Sequence, residues 1–107
     1  MMFALLFVSG CHKNKTDEDI LHMFVDGNGI SHVVIETKLS FKDNLPCVQY
    51  IGNYIYLDPD FLVYNGTEEV KLSTIPAGTR ISVDARDSVI EELPYYHFEK
   101  VYKIKLV

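Results

Sequence analysis

From residue 20 onward the chain consists of short apolar runs, many alternating with polar residues and cut by turn residues about every 8–12 positions. The runs at 20–25 and 30–39 flank Asp26-Gly27-Asn28-Gly29, a strong turn signal, and predict a hairpin. Its second arm carries the β-branched Val33, Val34 and Ile35, which fit a pleated surface. Residues 41–46 read as a loop ending at Pro46. Residues 47–57, rich in Val, Tyr and Ile, predict strand, with Gly52-Asn53 as a bulge or tight turn. Asp58-Pro59-Asp60 turns, 61–64 is a short strand, Asn65-Gly66-Thr67 turns again, and 70–72 is another short strand. Ile75-Pro76-Ala77-Gly78 leads into 79–84, where Ile81 and Val83 alternate with polar residues. Residues 95–107 predict the longest strand, with Tyr96, Phe98, Tyr102, Ile104 and Leu106 on one face and Lys100 as the exception. Only 87–93 carries a trace of helical period. The pattern predicts an all-β fold, a small antiparallel β-barrel or sandwich of about six to eight short strands, occupying residues 20–107 as one domain.

The first eleven residues differ in kind. Met1-Met2-Phe3-Ala4-Leu5-Leu6-Phe7-Val8-Ser9-Gly10-Cys11 is an apolar run closed by two small residues and a cysteine. It resembles the end of a bacterial lipoprotein signal peptide, with Val8-Ser9-Gly10-Cys11 as the lipobox. The resemblance covers about a tenth of the chain. It implies a signal peptide over 1–10, acylation of the Cys11 sulfur, and a protein held by lipid in the cell envelope, on the outer or cytoplasmic membrane and facing away from the cytoplasm. Residues 12–19 have no apolar side chain beyond the Thr16 methyl and read, with Cys11, as a tether; extended, they reach at most roughly 28 Å. If the lipobox is fortuitous, 3–8 becomes a buried N-terminal strand of a cytosolic β domain.

Composition narrows the function. The chain has 107 residues, 48% hydrophobic and 23% charged, which suits one globular core. Its net charge is −5, so it lacks the basic surface that phosphate contacts need, and nucleic acid is excluded as a partner. The same sign disfavours anionic lipid head groups, so membrane contact is expected through the acyl chains on Cys11. With Cys11 acylated, Cys47 is the remaining thiol, and its setting between Pro46 and Val48 reads as a small buried hydrophobe. A catalytic pairing of Cys47 with His97 lacks a surrounding nucleophile motif.

Other constellations also have plain structural readings. With Gly29 at the invariant glycine of a calcium loop, the first ligand position falls on Phe24 and the bidentate acid on Ile35, so the spacing fails and a hairpin turn remains. The histidines His12, His22, His32 and His97 show no short metal spacing; His22 and His32 flank the first turn symmetrically and are candidates for cross-strand neighbours. Asp58 with Asp60, and Asp84 with Asp87, are paired carboxylates read as turn residues. No cofactor or metal is expected.

The strongest functional signal is aromatic. The chain holds seven Tyr and six Phe with no Trp. Tyr50, Tyr54 and Tyr56 alternate through one segment, while the adjacent Tyr95 and Tyr96 must point to opposite faces of a strand. Exposed tyrosine offers rigid amphipathic contact area, which makes Tyr54, Tyr56 and Tyr95 the candidate partner-binding residues. The expectation is therefore a non-enzymatic, lipid-anchored, protein-binding β domain, an inhibitor, immunity-type or assembly accessory factor, with a basic envelope protein as partner. The alternative is a small-ligand carrier with a pocket in the barrel mouth.

Overall fold

The computed structural model describes residues 19–107. The lipobox-like residues and Cys11, the tether over 12–18, and His12 lie outside them. Among the described residues eleven strands and one 3-10 turn follow in order: β1 Ile20–Val25, β2 Ser31–Lys38, β3 Ser40–Lys42, β4 Leu45–Tyr50, β5 Asn53–Tyr56, β6 Leu62–Asn65, β7 Glu68–Lys71, the turn Leu72–Thr74, β8 Arg80–Arg86, β9 Val89–Glu92, β10 Tyr95–Phe98 and β11 Val101–Leu106. They form a six-stranded sheet ordered β1-β2-β8-β11-β6-β7 and a five-stranded sheet ordered β3-β4-β5-β10-β9. The fold is all-β and sandwich-like, not a closed barrel. It has more strands than the turn spacing predicts, and it is mixed instead of purely antiparallel: β5 runs parallel to β10, and β6 parallel to β11.

The first hairpin forms as expected. Asp26 N–H donates to the Ile30 carbonyl and Gly29 N–H to the Asp26 carbonyl. The Asp26 carboxylate accepts from the Asn28 and Ile30 amides, the local bonding that makes Asp a turn former. The supposed loop at 41–46 is itself a hairpin. Phe41 pairs with Pro46 across a two-residue turn in which Asp43 and Asn44 both have positive φ. Both residue types tolerate that conformation, and it matches the strand twist. The Cys47–Leu57 region resolves into a tight turn at Ile51-Gly52, with φ values of 47° and 78°. Residues 87–93 do not form a helix; Val89–Glu92 is an edge strand.

The long C-terminal strand is the main correction. Its halves belong to different sheets, separated at Glu99-Lys100. The chain from β8 to β11 is one long hairpin bent at a corner. β8 pairs with β11 in one sheet and β9 with β10 in the other. At the corner Arg86 N–H donates to the Lys100 carbonyl and Glu99 N–H to the Ser88 carbonyl, both at 2.8 Å, so the ladder continues around the bend. A register shift between Val101 and Lys103 inserts Tyr102 as an extra residue. It frees Tyr102 from the core face and lets it stack on His32 instead.

Core residues come from the inner faces of both sheets: Val33, Ile35, Val63, Ile81, Val83 and Ile104 from one, Val48, Ile55 and Phe98 from the other. Leu39, where the chain crosses from β2 to β3, is 1% exposed. Its N–H and carbonyl bond to Thr79 and Gly78 at 2.8 Å, so the crossing carries no orphan backbone group. Tyr96 packs against this core, as the alternation at the start of β10 predicts.

Ile51 is 73% exposed yet holds a left-handed conformation, which costs a β-branched residue about 1–2 kcal/mol. Ile51→Asn should therefore raise the urea midpoint, by about 1 kcal/mol of stability; an unchanged or lower midpoint would rule out the type I′ geometry of this turn. Tyr96→Ala should cost about 2 kcal/mol, less than a fully buried aromatic because Tyr96 is only partly buried, and Tyr95→Ala, on the other face, should cost less. The reverse order in thermal melts would mean that β10 is shifted by one residue.

Candidate functional site

Alternation builds an aromatic patch on the outer face of the five-stranded sheet. Ile55 turns into the core, so Tyr54 and Tyr56 face outward; Tyr96 and Phe98 turn inward, so Tyr95 and His97 face outward. The parallel pairing of β5 with β10 sets His97 beside Tyr56. The Tyr56 and Tyr95 rings meet at 4.3 Å between centroids, tilted by 47°, a close contact just below the roughly 4.5 Å lower end of the usual spacing of aromatic pairs. Tyr54 lies on the same face, with the Lys42 ammonium 4.5 Å above its ring. The structure thus brings together all three tyrosines singled out from the sequence.

Beside this patch the sandwich opens into a groove of about 660 Å³. One wall is Tyr56, Leu57, Pro59 and Phe61, where the chain leaves β5. The other is Leu93, Tyr95 and His97 from the β9–β10 hairpin, and Val101 and Ile104 form part of the floor. Leu93 stands 84% exposed at the lip. Carboxylates of Asp58, Glu92 and Glu99 surround the opening, together with Lys100. His97 is fixed at both nitrogens: Nδ1 donates to the Phe98 carbonyl at 3.0 Å and Nε2 to Glu92 Oε1 at 2.5 Å. These two bonds, the backbone one first, hold its protonation range above the usual 6.5. The groove therefore presents an apolar channel with an acidic rim. No sequence spacing announces it, because its walls come from segments far apart in the chain.

Cys47 occupies the rung between Ser40 and Tyr56, on the side of β4 opposite the core residue Val48. It is fully buried, and burial pushes its thiol above the usual range. Tyr56 stands between Cys47 and His97 along this row, so the geometry does not form a nucleophile–base pair.

A second cluster occupies the outer face of the six-stranded sheet. His32 donates from Nε2 to Asp26 Oδ2 at 2.7 Å and from Nδ1 to Asp84 Oδ1 at 2.8 Å. Its ring lies between Phe24 and Tyr102, at 4.6 Å from each centroid. His22 stacks on the far side of Phe24 at 5.8 Å. His22 and His32 are therefore not a metal pair: Phe24 opposes His32 across the hairpin and separates the imidazoles. Asp84, read from the sequence as a turn residue, lies within β8, while Asp87 accepts a 3.1 Å bond from the Tyr50 hydroxyl. Asp60 and Asp58 do remain in their turn, with Asp60 N–H bonded to Asp58 Oδ1. No group of three or more potential metal ligands forms among the described residues.

The doubly bonded His32 is an imidazolium clamp. The Asp84 bond, then the Asp26 bond, raise its protonation range above 6.5, and the His32 bond, with the Ile30 and Asn28 amides, holds Asp26 below 3.8. The stabilisation from His32 is complete below pH 6.5 and is lost as pH rises through its folded value; that from Asp26 is complete above pH 3.8 and is lost as pH falls. Thermal melts should show greatest stability between these limits, with an alkaline decline that is smaller in Asp84→Ala, where the Asp26 bond to His32 and the His97 bonds remain. A wild-type melting temperature that does not fall above pH 6.5 would remove the clamp.

Comparison with protein-family models, curated proteins and solved structures returns no match to this chain, so the meaning of both clusters rests on their own geometry.

Proposed function

We propose that this chain is a lipid-anchored, non-enzymatic β domain that binds another protein of the cell envelope through the aromatic patch and its groove. The observation that carries the reading is the Tyr56–Tyr95 pair standing at the lip of an apolar groove rimmed by Asp58, Glu92 and Glu99. Tyrosines held by packing offer contact area at little entropic cost. An apolar side chain of the partner enters between Phe61 and Leu93, while a basic group beside it meets the acidic rim. Anchoring through Cys11 keeps the domain near the membrane, where a high effective concentration offsets a modest intrinsic affinity.

A second reading, a carrier of a small apolar molecule, is favoured by one observation. The groove volume falls in the range of about 300–1,000 Å³ usual for ligand sites.

Two measurements test these readings. Cys11→Ala should move the protein out of the membrane fraction; unchanged membrane association would sink the anchor. Tyr95→Ala and Tyr56→Ala should each weaken capture of the partner from native envelopes by about tenfold with little loss of melting temperature. If capture is unaffected, while organic extraction of the purified protein releases a stoichiometric small molecule, the carrier reading replaces the binding one.

A further inference from the structure

The two sheets have four edges, and three are protected. β7 carries Glu68, Glu69 and Lys71, β9 carries Glu91 and Glu92, and β3 is three residues long and ends in Lys42. Charged side chains and short length keep such edges from pairing with another chain. β1 has neither device. Its sequence Ile-Leu-His-Met-Phe-Val contains no Asp, Glu, Lys or Arg, and every residue is exposed. Its five apolar side chains are between 37% and 64% exposed. Leu21 and Met23 oppose the core residues Ile35 and Val33, so they continue the core face outward beyond the reach of the second sheet.

The hairpin sets the hydrogen bonding of this edge. Asp26 N–H points inward to Ile30, so by alternation Phe24, His22 and Ile20 bond toward β2. The N–H and carbonyl groups of Leu21, Met23 and Val25 then point away from the sheet.

The geometry points to a two-fold dimer in which β1 of one copy pairs antiparallel with β1 of a second copy, Met23 opposite Met23. In this register Leu21 meets the partner's Val25, and all three outward residues of each strand form ladder pairs. A two-fold axis perpendicular to the sheet requires opposed residues to share a face, and this register meets that condition. On the outer face, Phe24 then lies opposite the partner's His22. The stacked row Tyr102–His32–Phe24 continues across the axis into its symmetry mate. On the inner face, Leu21, Met23 and Val25 join the two cores. Charge singles out this edge for self-pairing. In a chain of net charge −5, β7 or β9 pairing with itself would set glutamates near one another, whereas β1 brings no formal charge to the seam. The buried surface is on the order of 1,000 Å² over both copies, at the lower limit for a specific interface.

Sedimentation equilibrium of the full chain in mild detergent, with amide exchange on the same samples, tests this dimer. The wild type should approach twice the mass of the chain as concentration rises, with the amides of Leu21, Met23 and Val25 becoming protected in step. Met23→Lys and Met23→Glu should each weaken dimerisation by about tenfold or more through like charges at the axis, and an equimolar mixture of the two should restore it. Wild-type chain that stays monomeric, or edge amides that exchange equally fast at all concentrations, would overturn the proposal. So would a dimer that is unaffected by Met23→Lys.

Discussion

The corner in the bent hairpin is the constraint on which the rest of this structure depends. Arg86 and Lys100 on one side of the bend, and Ser88 and Glu99 on the other, keep backbone bonding continuous while the chain turns from one sheet into the other. β11 thereby becomes an inner strand of the six-stranded sheet, between β8 and β6, and β10 an inner strand of the five-stranded one, between β5 and β9. A buried strand end with unpaired N–H and carbonyl groups would be costly, and the corner avoids it. It also places β10 and β11 where they pair parallel with β5 and β6.

The groove is a consequence of this geometry. Where the sheets diverge around Glu99-Lys100, the segment after β5 and the β9–β10 hairpin stand apart, and the gap between them is lined by apolar side chains from both layers. The aromatic patch arises in the same place because β10 lies directly against β5. The site is built on strands and their immediate connections, which hold Tyr56, Tyr95 and His97 at fixed separations. His97, bonded at both nitrogens, also ties β10 to Glu92 on its edge neighbour.

On the opposite side of the molecule, His32 performs a comparable task for β1. The strand contacts only one neighbour in its sheet, yet Phe24 is held against the His32 ring and the turn below it is tied through Asp26. A positively charged imidazole between two carboxylates satisfies both of its N–H groups, as a buried ring requires. The clamp holds β1 through Phe24 on the outer face and through the turn below it and, among the described residues, leaves the free edge of the strand unengaged.

The sequence by itself determined the all-β character of residues 20–107, the first hairpin and the alternation of Ile81 and Val83, and it put a bulge or tight turn at Gly52-Asn53, one residue beyond the observed turn at Ile51-Gly52, because alternation and turn chemistry act over a few residues. It also singled out Tyr54, Tyr56 and Tyr95, since strand alternation sends alternate side chains to opposite faces. Only the tertiary structure decided that 95–107 breaks into two strands. The bend there is stabilised by hydrogen bonds to residues 86 and 88, and Lys100, the exception in its pattern, lies at the corner. Asp84 looked like a turn residue because its partner His32 lies 52 positions away. The groove and the edge position of β1 were equally beyond local reading. Both depend on which strands become neighbours, and that is set by the packing of two sheets over one core.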